Sequence, residues 1–292
     1  MLLSGFRIRD PFVVPLPAEG RYLLYGSVGA GPDGRWTGLP VYESHDLIHW
    51  TGPRAAFTPP AGFWSDRDFW APEVHPYRGR WYMLATFKAE GLCRGTQILA
   101  ADRPEGPFAP IGPEPATPRD WECLDGTLWI EPDGRPWMVF CHEWLQVADG
   151  EICALPLAPD LSGPAGAARL LFRAGGAPGV TPVGHDAGGR AQYVTDGPCL
   201  RRAASGRLLM LWSSFGGTGY RLMVASSAGG LEGPWETSPQ ALFDEDGGHG
   251  MLFSDFRGQL HVALHRPNHS ELERAVFCPV EERDGLLARS LP

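Results

Sequence analysis

The stretch Leu124-Asp-Gly-Thr-Leu-Trp-Ile-Glu-Pro-Asp-Gly-Arg-Pro-Trp-Met-Val-Phe140 reads as an acid at the head of a strand, a tight turn and a second apolar strand. Thr127, Trp129 and Ile130 are β-branched or aromatic residues that favour strands. Asp133-Gly134 suits a two-residue type I′ hairpin turn, in which both central residues take φ > 0. The return from Pro136 to Phe140 is apolar throughout.

Four more stretches repeat this plan. Arg9-Asp-Pro-Phe-Val-Val14 leads past a turn at 17–20 to an apolar run at 21–27. Trp70-Ala-Pro-Glu-Val-His75 leads past Arg78-Gly79 to 80–86, and Thr195-Asp-Gly-Pro-Cys-Leu200 leads past Ser205-Gly206 to 207–214. His249-Gly-Met-Leu-Phe253 leads past Arg257-Gly258 to 259–265. The head positions Asp10, Glu73, Asp125, Asp196 and His249 recur at intervals of about 50–70 residues. A second piece follows most hairpins, at 44–53, 101–108, 157–164 and 226–235, and reads as the loop between a third strand and a polar outer strand. Four strands repeated five times predict an all-β, five-bladed β-propeller around a central axial pocket. Residues 1–292 form one domain on this reading, with 273–280 onward completing the last blade.

Composition agrees. The chain has 292 residues, 43% apolar and 11% aromatic, enough for a large core. Its 38 Gly and 29 Pro suit a fold with many turns, and no window of about 12 residues sustains a helical period. A net charge of −9 disfavours nucleic acid or an anionic membrane as partner. No apolar run of about 18 residues predicts a membrane span. The N-terminus lacks a signal peptide's apolar segment, so a cytoplasmic location is expected. Cys93, Cys123, Cys141, Cys153, Cys199 and Cys278 are scattered without a CxxC pair and read as reduced core thiols.

In a propeller the head residues converge on one pocket. Asp10, Glu73, Asp125, Asp196 and His249 then share a site with Phe12, Trp70 and Trp129. Carboxylates brought together repel one another, which spreads their pKa values and marks working sites. One acid and one base are what glycoside hydrolysis needs, and aromatic faces suit the apolar faces of a sugar. Asp-Gly and Asp-Pro are also ordinary turn pairs, but three acids at equivalent places in different repeats favour a site.

These residues resemble glycoside hydrolase family 43, five-bladed propeller enzymes acting on arabinose- and xylose-containing glycans. The likeness covers essentially the whole chain and rests on Arg9-Asp10-Pro11, Trp70-Ala-Pro-Glu-Val74, Asp125-Gly126, Thr195-Asp-Gly-Pro198 and Gly248-His249-Gly250, one per blade. The resemblance implies Asp10 as general base, Asp125 as the residue that raises the acid's pKa, and Asp196 as general acid. It also implies inversion, with base and acid about 6.5–9.5 Å apart. The family's acid is usually a glutamate before Ala-Pro or Gly-Pro, whereas this chain has Asp196-Gly197-Pro198. A carboxyl set back by about 1.5 Å can cost about 100-fold in rate unless something compensates. Three alternatives stay open: a pocket tightened around Asp196, Glu143 as substitute acid, or a propeller that binds sugar without hydrolysing it.

Supporting roles follow from the same resemblance. Trp70 and Trp129 stack on sugar rings or pack in the core, Glu73 binds a hydroxyl, and Arg266 binds substrate or pairs with an acid. His249 contacts a central ion or is a structural histidine; no cofactor is required, although the channel leaves room for a calcium or sodium ion. The expected substrate is a pentose-containing oligosaccharide trimmed by an exo-acting α-L-arabinofuranosidase or β-xylosidase. An endo-acting arabinanase is the alternative. Fold does not fix this choice.

Overall fold

A computed structural model of the protein describes residues 1–30 and 37–290. Five antiparallel four-stranded sheets surround a central axis. The first holds β1 (Arg9–Leu16), β2 (Arg21–Ser27), β3 (Leu39–Ser44) and β4 (Trp50–Phe57), and the second β5 (Arg67–Tyr77), β6 (Arg80–Lys88), β7 (Gly95–Ala101) and β8 (Ala109–Pro110). The third holds β9 (Cys123–Ile130), β10 (Pro136–His142), β11 (Glu151–Pro156) and β12 (Arg169–Arg173). A small ribbon, β13 (Gly184–His185) with β14 (Ala191–Gln192), precedes the fourth. That sheet holds β15 (Asp196–Arg202), β16 (Leu208–Gly216), β17 (Gly219–Ser227) and β18 (Glu236–Thr237). The fifth holds β19 (Gly248–Ser254), β20 (Leu260–Arg266), β21 (Arg274–Arg283) and β22 (Leu286–Arg289). Among the described residues the one α-helix is α1 (Trp144–Val147).

The core lies between blades rather than inside any one of them. Along β16, Leu208, Met210 and Trp212 pack toward the third blade, while Leu209 and Leu211 pack toward the fifth. Each middle strand is covered on both faces, which is why it reads as an unbroken apolar run instead of an alternating one. The loops at 44–53, 101–108, 157–164 and 226–235 join third to outer strands, as expected.

The expected type I′ turn at Asp133-Gly134 is not formed. Gly134 N–H donates to Glu131 O at 2.8 Å, Glu131 N–H donates to Arg135 O at 2.9 Å, and of the two residues only Gly134 has positive φ, +87°. Pro132 fixes φ near −65° at the second turn position, which selects a type I turn closed by a left-handed glycine. The same closure recurs at 203–207 and 255–259. The two-residue turn with both φ positive occurs instead at Arg78-Gly79.

Each innermost strand carries a bulge at its axial end: Asp10-Pro11, Ala71-Pro72, Asp125-Gly126, Gly197-Pro198 and His249-Gly250 fall outside the ladder. The first residue of every bulge is left-handed, with φ of 51°, 44°, 56°, 53° and 53° in that order. The equivalent positions in the second and fourth blades are therefore Ala71 and Gly197, not Glu73 and Asp196. Sequence spacing alone missed this because a bulge adds a residue without changing the hydrophobic pattern.

Candidate active site

Sequential blades are tied together at the bulges. The residue opposite each bulge's leading neighbour is Ser27, Thr86, Cys141, Ser213 or His265. Ser27 Oγ accepts the Ala71 N–H at 2.7 Å, Thr86 Oγ1 the Asp125 N–H at 2.9 Å, and Ser213 Oγ the His249 N–H at 2.7 Å. His265 Nδ1 accepts the Asp10 N–H at 3.3 Å and so closes the ring. At the third blade a thiol, Cys141, occupies this place, and Asp125 Oδ2 takes the Gly197 N–H instead, at 2.9 Å. A left-handed bulge turns its side chain toward the axis, and these five links fix that direction.

The bulges surround a cavity of about 390 Å³ whose lining includes Arg9, Asp10, Trp70, Asp125, Glu143 and Asp196, with His249, Trp144 and Phe215. Asp10 is buried. Ser27 Oγ donates to its Oδ2 at 2.5 Å. His249 Nδ1 lies 3.1 Å from Oδ1 and Arg9 Nε 3.4 Å, yet neither is aligned as a donor, so Oδ1 keeps an unpartnered lone pair. Burial pushes the Asp10 pKa up, but the His249 and Arg9 charges with the Ser27 hydrogen bond outweigh it and hold Asp10 at about 2. His265, pushed down to about 3 by burial, is neutral; its Nδ1 accepts from Asp10 N–H and its Nε2 faces Asn268 Oδ1 at 3.2 Å.

Asp125 and Asp196 run the other way. Burial and then the charge of Asp10 raise Asp125 well above an ordinary aspartate. Burial and then Asp125 push Asp196 up to about 7, against the lowering influence of His249, Arg9 and a 3.0 Å hydrogen bond from Tyr220 Oη. Close carboxyls share protons, so the trio holds at least one proton near neutrality. Asp196 is more open to the cavity than Asp125.

Glu143 also faces the cavity, but Arg94 Nη1 bonds its carboxylate and Arg94 Nη2 bonds Asp68 at 3.0 Å. Burial raises Glu143 while this guanidinium opposes it. Arg94 also lies 4.5 Å over the Trp70 ring.

Several expected site residues sit elsewhere. Phe12 is buried against His75, and the buried Glu73 pairs with His75 Nε2 at 3.0 Å. Trp129 lies under Arg202, and Arg266 pairs with Glu245 at 3.1 Å beside Phe243. None of the four lines the cavity: Phe12, Glu73 and Trp129 lie past their bulges on the innermost strands, and Arg266 ends β20. The cavity takes in Arg9 of the Arg9-Asp10-Pro11 marker, and also Trp144 and Phe215, to which the sequence alone assigned no site role. Trp144 directly follows Glu143 in the chain.

All six cysteines are free thiols; Cys123, Cys141 and Cys153 are buried, and the other three only partly so. Among the described residues no group of three or more His, Cys, Asp or Glu is arranged to hold a metal ion. The His249 ring faces Asp10 and Asp125. No helix of the described residues is long and apolar enough to cross a membrane.

Comparison with known proteins agrees with this architecture. An endo-arabinase from Bacteroides thetaiotaomicron VPI-5482 is 40% identical, with a TM-score of 0.89 over 98% of each chain. An α-L-arabinofuranosidase from Lactobacillus brevis shares the fold at 16% identity, TM-score 0.75, over 99% of this chain and 97% of that one. The extracellular endo-α-(1→5)-L-arabinanase 1 of Bacillus subtilis (strain 168) is 28% identical over 121 residues, covering 37% of this chain and 36% of that protein's length. The model of the glycosyl hydrolases family 43 matches residues 3–283, and the chain belongs to that family of glycoside hydrolases.

Proposed function

We propose that the chain is an inverting, endo-acting arabinanase in which Asp10 is the general base, Asp196 the general acid and Asp125 the carboxyl that keeps Asp196 protonated. The observation that carries the chemistry is the split in proton affinity across one cavity, about 2 at Asp10 and about 7 at Asp196. Asp10 Oδ1, charged and without a donor, accepts a proton from water as that water attacks the anomeric carbon. Asp196 passes its proton to the glycosidic oxygen as the C–O bond breaks. Glu143 is less suited to this role, since the Arg94 guanidinium stabilises its charged form.

The likeness to the Bacteroides endo-arabinase over nearly the full length supports arabinan as substrate and internal cleavage as the mode. The exo-acting, pentose-releasing reading yields to this alternative, because the arabinofuranosidase similarity is one of fold. The test is incubation with linear α-(1→5)-arabinan beside p-nitrophenyl α-L-arabinofuranoside and β-D-xyloside. A fast fall in viscosity with mixed oligosaccharide products is expected. Release of arabinose alone, or efficient turnover of either aryl glycoside, would reject endo action, and silence on all three would favour a binding propeller.

A further inference from the structure

We propose that Tyr220 is a positioning residue that fixes which oxygen of Asp196 carries the catalytic proton, so that Oδ1 delivers it while Oδ2 is held as an acceptor. This rests on Asp196 being the acid proposed above.

The Tyr220 side chain has no freedom to turn. It is fully buried in β17, opposite Phe215 in the ladder, and its ring lies 5.1 Å from that of Phe215. Its other side stacks on His265, with centroids 5.6 Å apart at 21°. A Cβ at Gly248 would stand 2.6 Å from Tyr220 Cε1, so that glycine makes room for the ring. His265 is the residue that accepts the Asp10 N–H, so one stacked pair bridges the base and the acid.

From this position Tyr220 Oη donates to Asp196 Oδ2 at 3.0 Å. Burial and then the Asp196 charge raise the phenol's pKa well above its ordinary value, so it keeps its proton and acts as a donor. An oxygen that already accepts a phenolic hydrogen bond is the poorer place for the carboxyl's own proton, which leaves Oδ1 as the O–H. Oδ1 makes no protein hydrogen bond among the described residues. As Oδ1 gives its proton to the glycosidic oxygen, the bond from Tyr220 becomes charge-assisted and strengthens in the transition state. A short side chain held at one oxygen also supplies the tightening that an aspartate needs where a longer acid would reach further. The other groups facing Asp196 are Asp125, His249, Arg9 and, across the sheet, Cys141.

The variant to make is Tyr220→Phe, which keeps the ring and removes one hydroxyl. Losing a donor to the anion must raise the Asp196 pKa, so the alkaline limb of kcat/KM on arabinan moves to higher pH. We expect kcat to fall about tenfold with KM nearly unchanged. The deficit shrinks on a dinitrophenyl arabinotrioside, whose leaving group needs no proton. Carbon-13 titration of the aspartate carboxyls reads the same pKa rise without activity. An alkaline limb and carboxyl titration that stay in place, or a deficit equal for both leaving groups, overturn the proposal. Should Asp196→Asn keep wild-type activity, the acid assignment itself fails, while the carboxyl titration still separates that failure from absence of the hydrogen bond.

Discussion

Asp10, Asp125 and Asp196 are the same residue type within one cavity, and their surroundings give them different jobs. Asp10→Asn keeps the volume and removes the base, so kcat on arabinan should fall about a thousandfold, and the thermal transition at neutral pH should fall as well because the stabilised anion is lost. Asp196→Asn should lose a similar factor on arabinan, while Glu143→Gln should chiefly raise KM; steady-state kinetics on the three variants check both. The pH signs differ as well. Asp10, held at about 2, is active as the anion and stabilises the fold above the ordinary aspartate range, a contribution lost as pH falls through about 2. Asp196, raised to about 7, is favoured folded as the neutral acid, so its contribution is full below the ordinary aspartate pKa and lost as pH rises through about 7. Activity should therefore hold through the weakly acidic range and decline above about pH 7. Asp196→Asn should melt higher than wild type at pH 8, on the order of 5 °C, because it removes the buried charge.

At the scale of the element, the bulge is the device that turns a strand end into a catalytic position. Asp10, Asp125 and His249 point to the axis because each takes a left-handed φ that the plain ladder forbids. Gly197 shows the cost most clearly: a Cβ there would meet His249 Cδ2 and Cγ at 2.8 Å, at φ +53°. Gly197→Ala should destabilise by about 2–3 kcal/mol and displace both Asp196 and His249. Gly206, also left-handed at φ +86° but with open space around it, is the matched control and should cost only about 1 kcal/mol on the same substitution, with activity kept. Urea denaturation of the two variants measures the difference. The sequence displays the second residue of every bulge as proline or glycine, yet the first is Asp, Ala, Asp, Gly and His. The repeated acids therefore mark the right blades, but Glu73 and Asp196 lie a residue or two from the bulge positions Ala71 and Gly197.

For the whole molecule, the question is how a ring closes without covalent help. Arg7 Nη2 and Arg9 Nη1 both reach Glu273 at 2.6 Å, and Ile8 N–H donates to Glu273 O at 3.3 Å. Glu273 is 1% exposed, so these two guanidiniums are what make its burial tolerable. Arg9 is at the same time 3.4 Å from Asp10, which ties closure of the propeller to the charge on the base. Glu273→Gln should lower stability by about 3 kcal/mol, the low end for a buried pair because both arginines reach solvent. It should also leave Arg9 free to move from Asp10, so equilibrium unfolding and kcat should fall together. If stability falls and kcat does not, closure and catalysis are separate.

The sequence by itself determined the five repeats, the four-stranded blades and the presence of Asp10, Asp125, Asp196, Glu143, Trp70 and His249 around one axis. It could do so because hydrophobic runs, turn glycines and strand-head acids are local features that repetition makes visible. Tertiary structure decided which of those residues reach the cavity. Phe12, Glu73 and Trp129 follow their bulges on innermost strands and Arg266 ends the second strand of its blade, yet all four contact other layers, because the bulges and the packing of neighbouring blades, not the local pattern, set which side chains reach the axis. It also decided the protonation of the three aspartates, which depends on burial and on neighbours such as Arg9, Ser27 and Tyr220 that lie far away in the chain or on another strand.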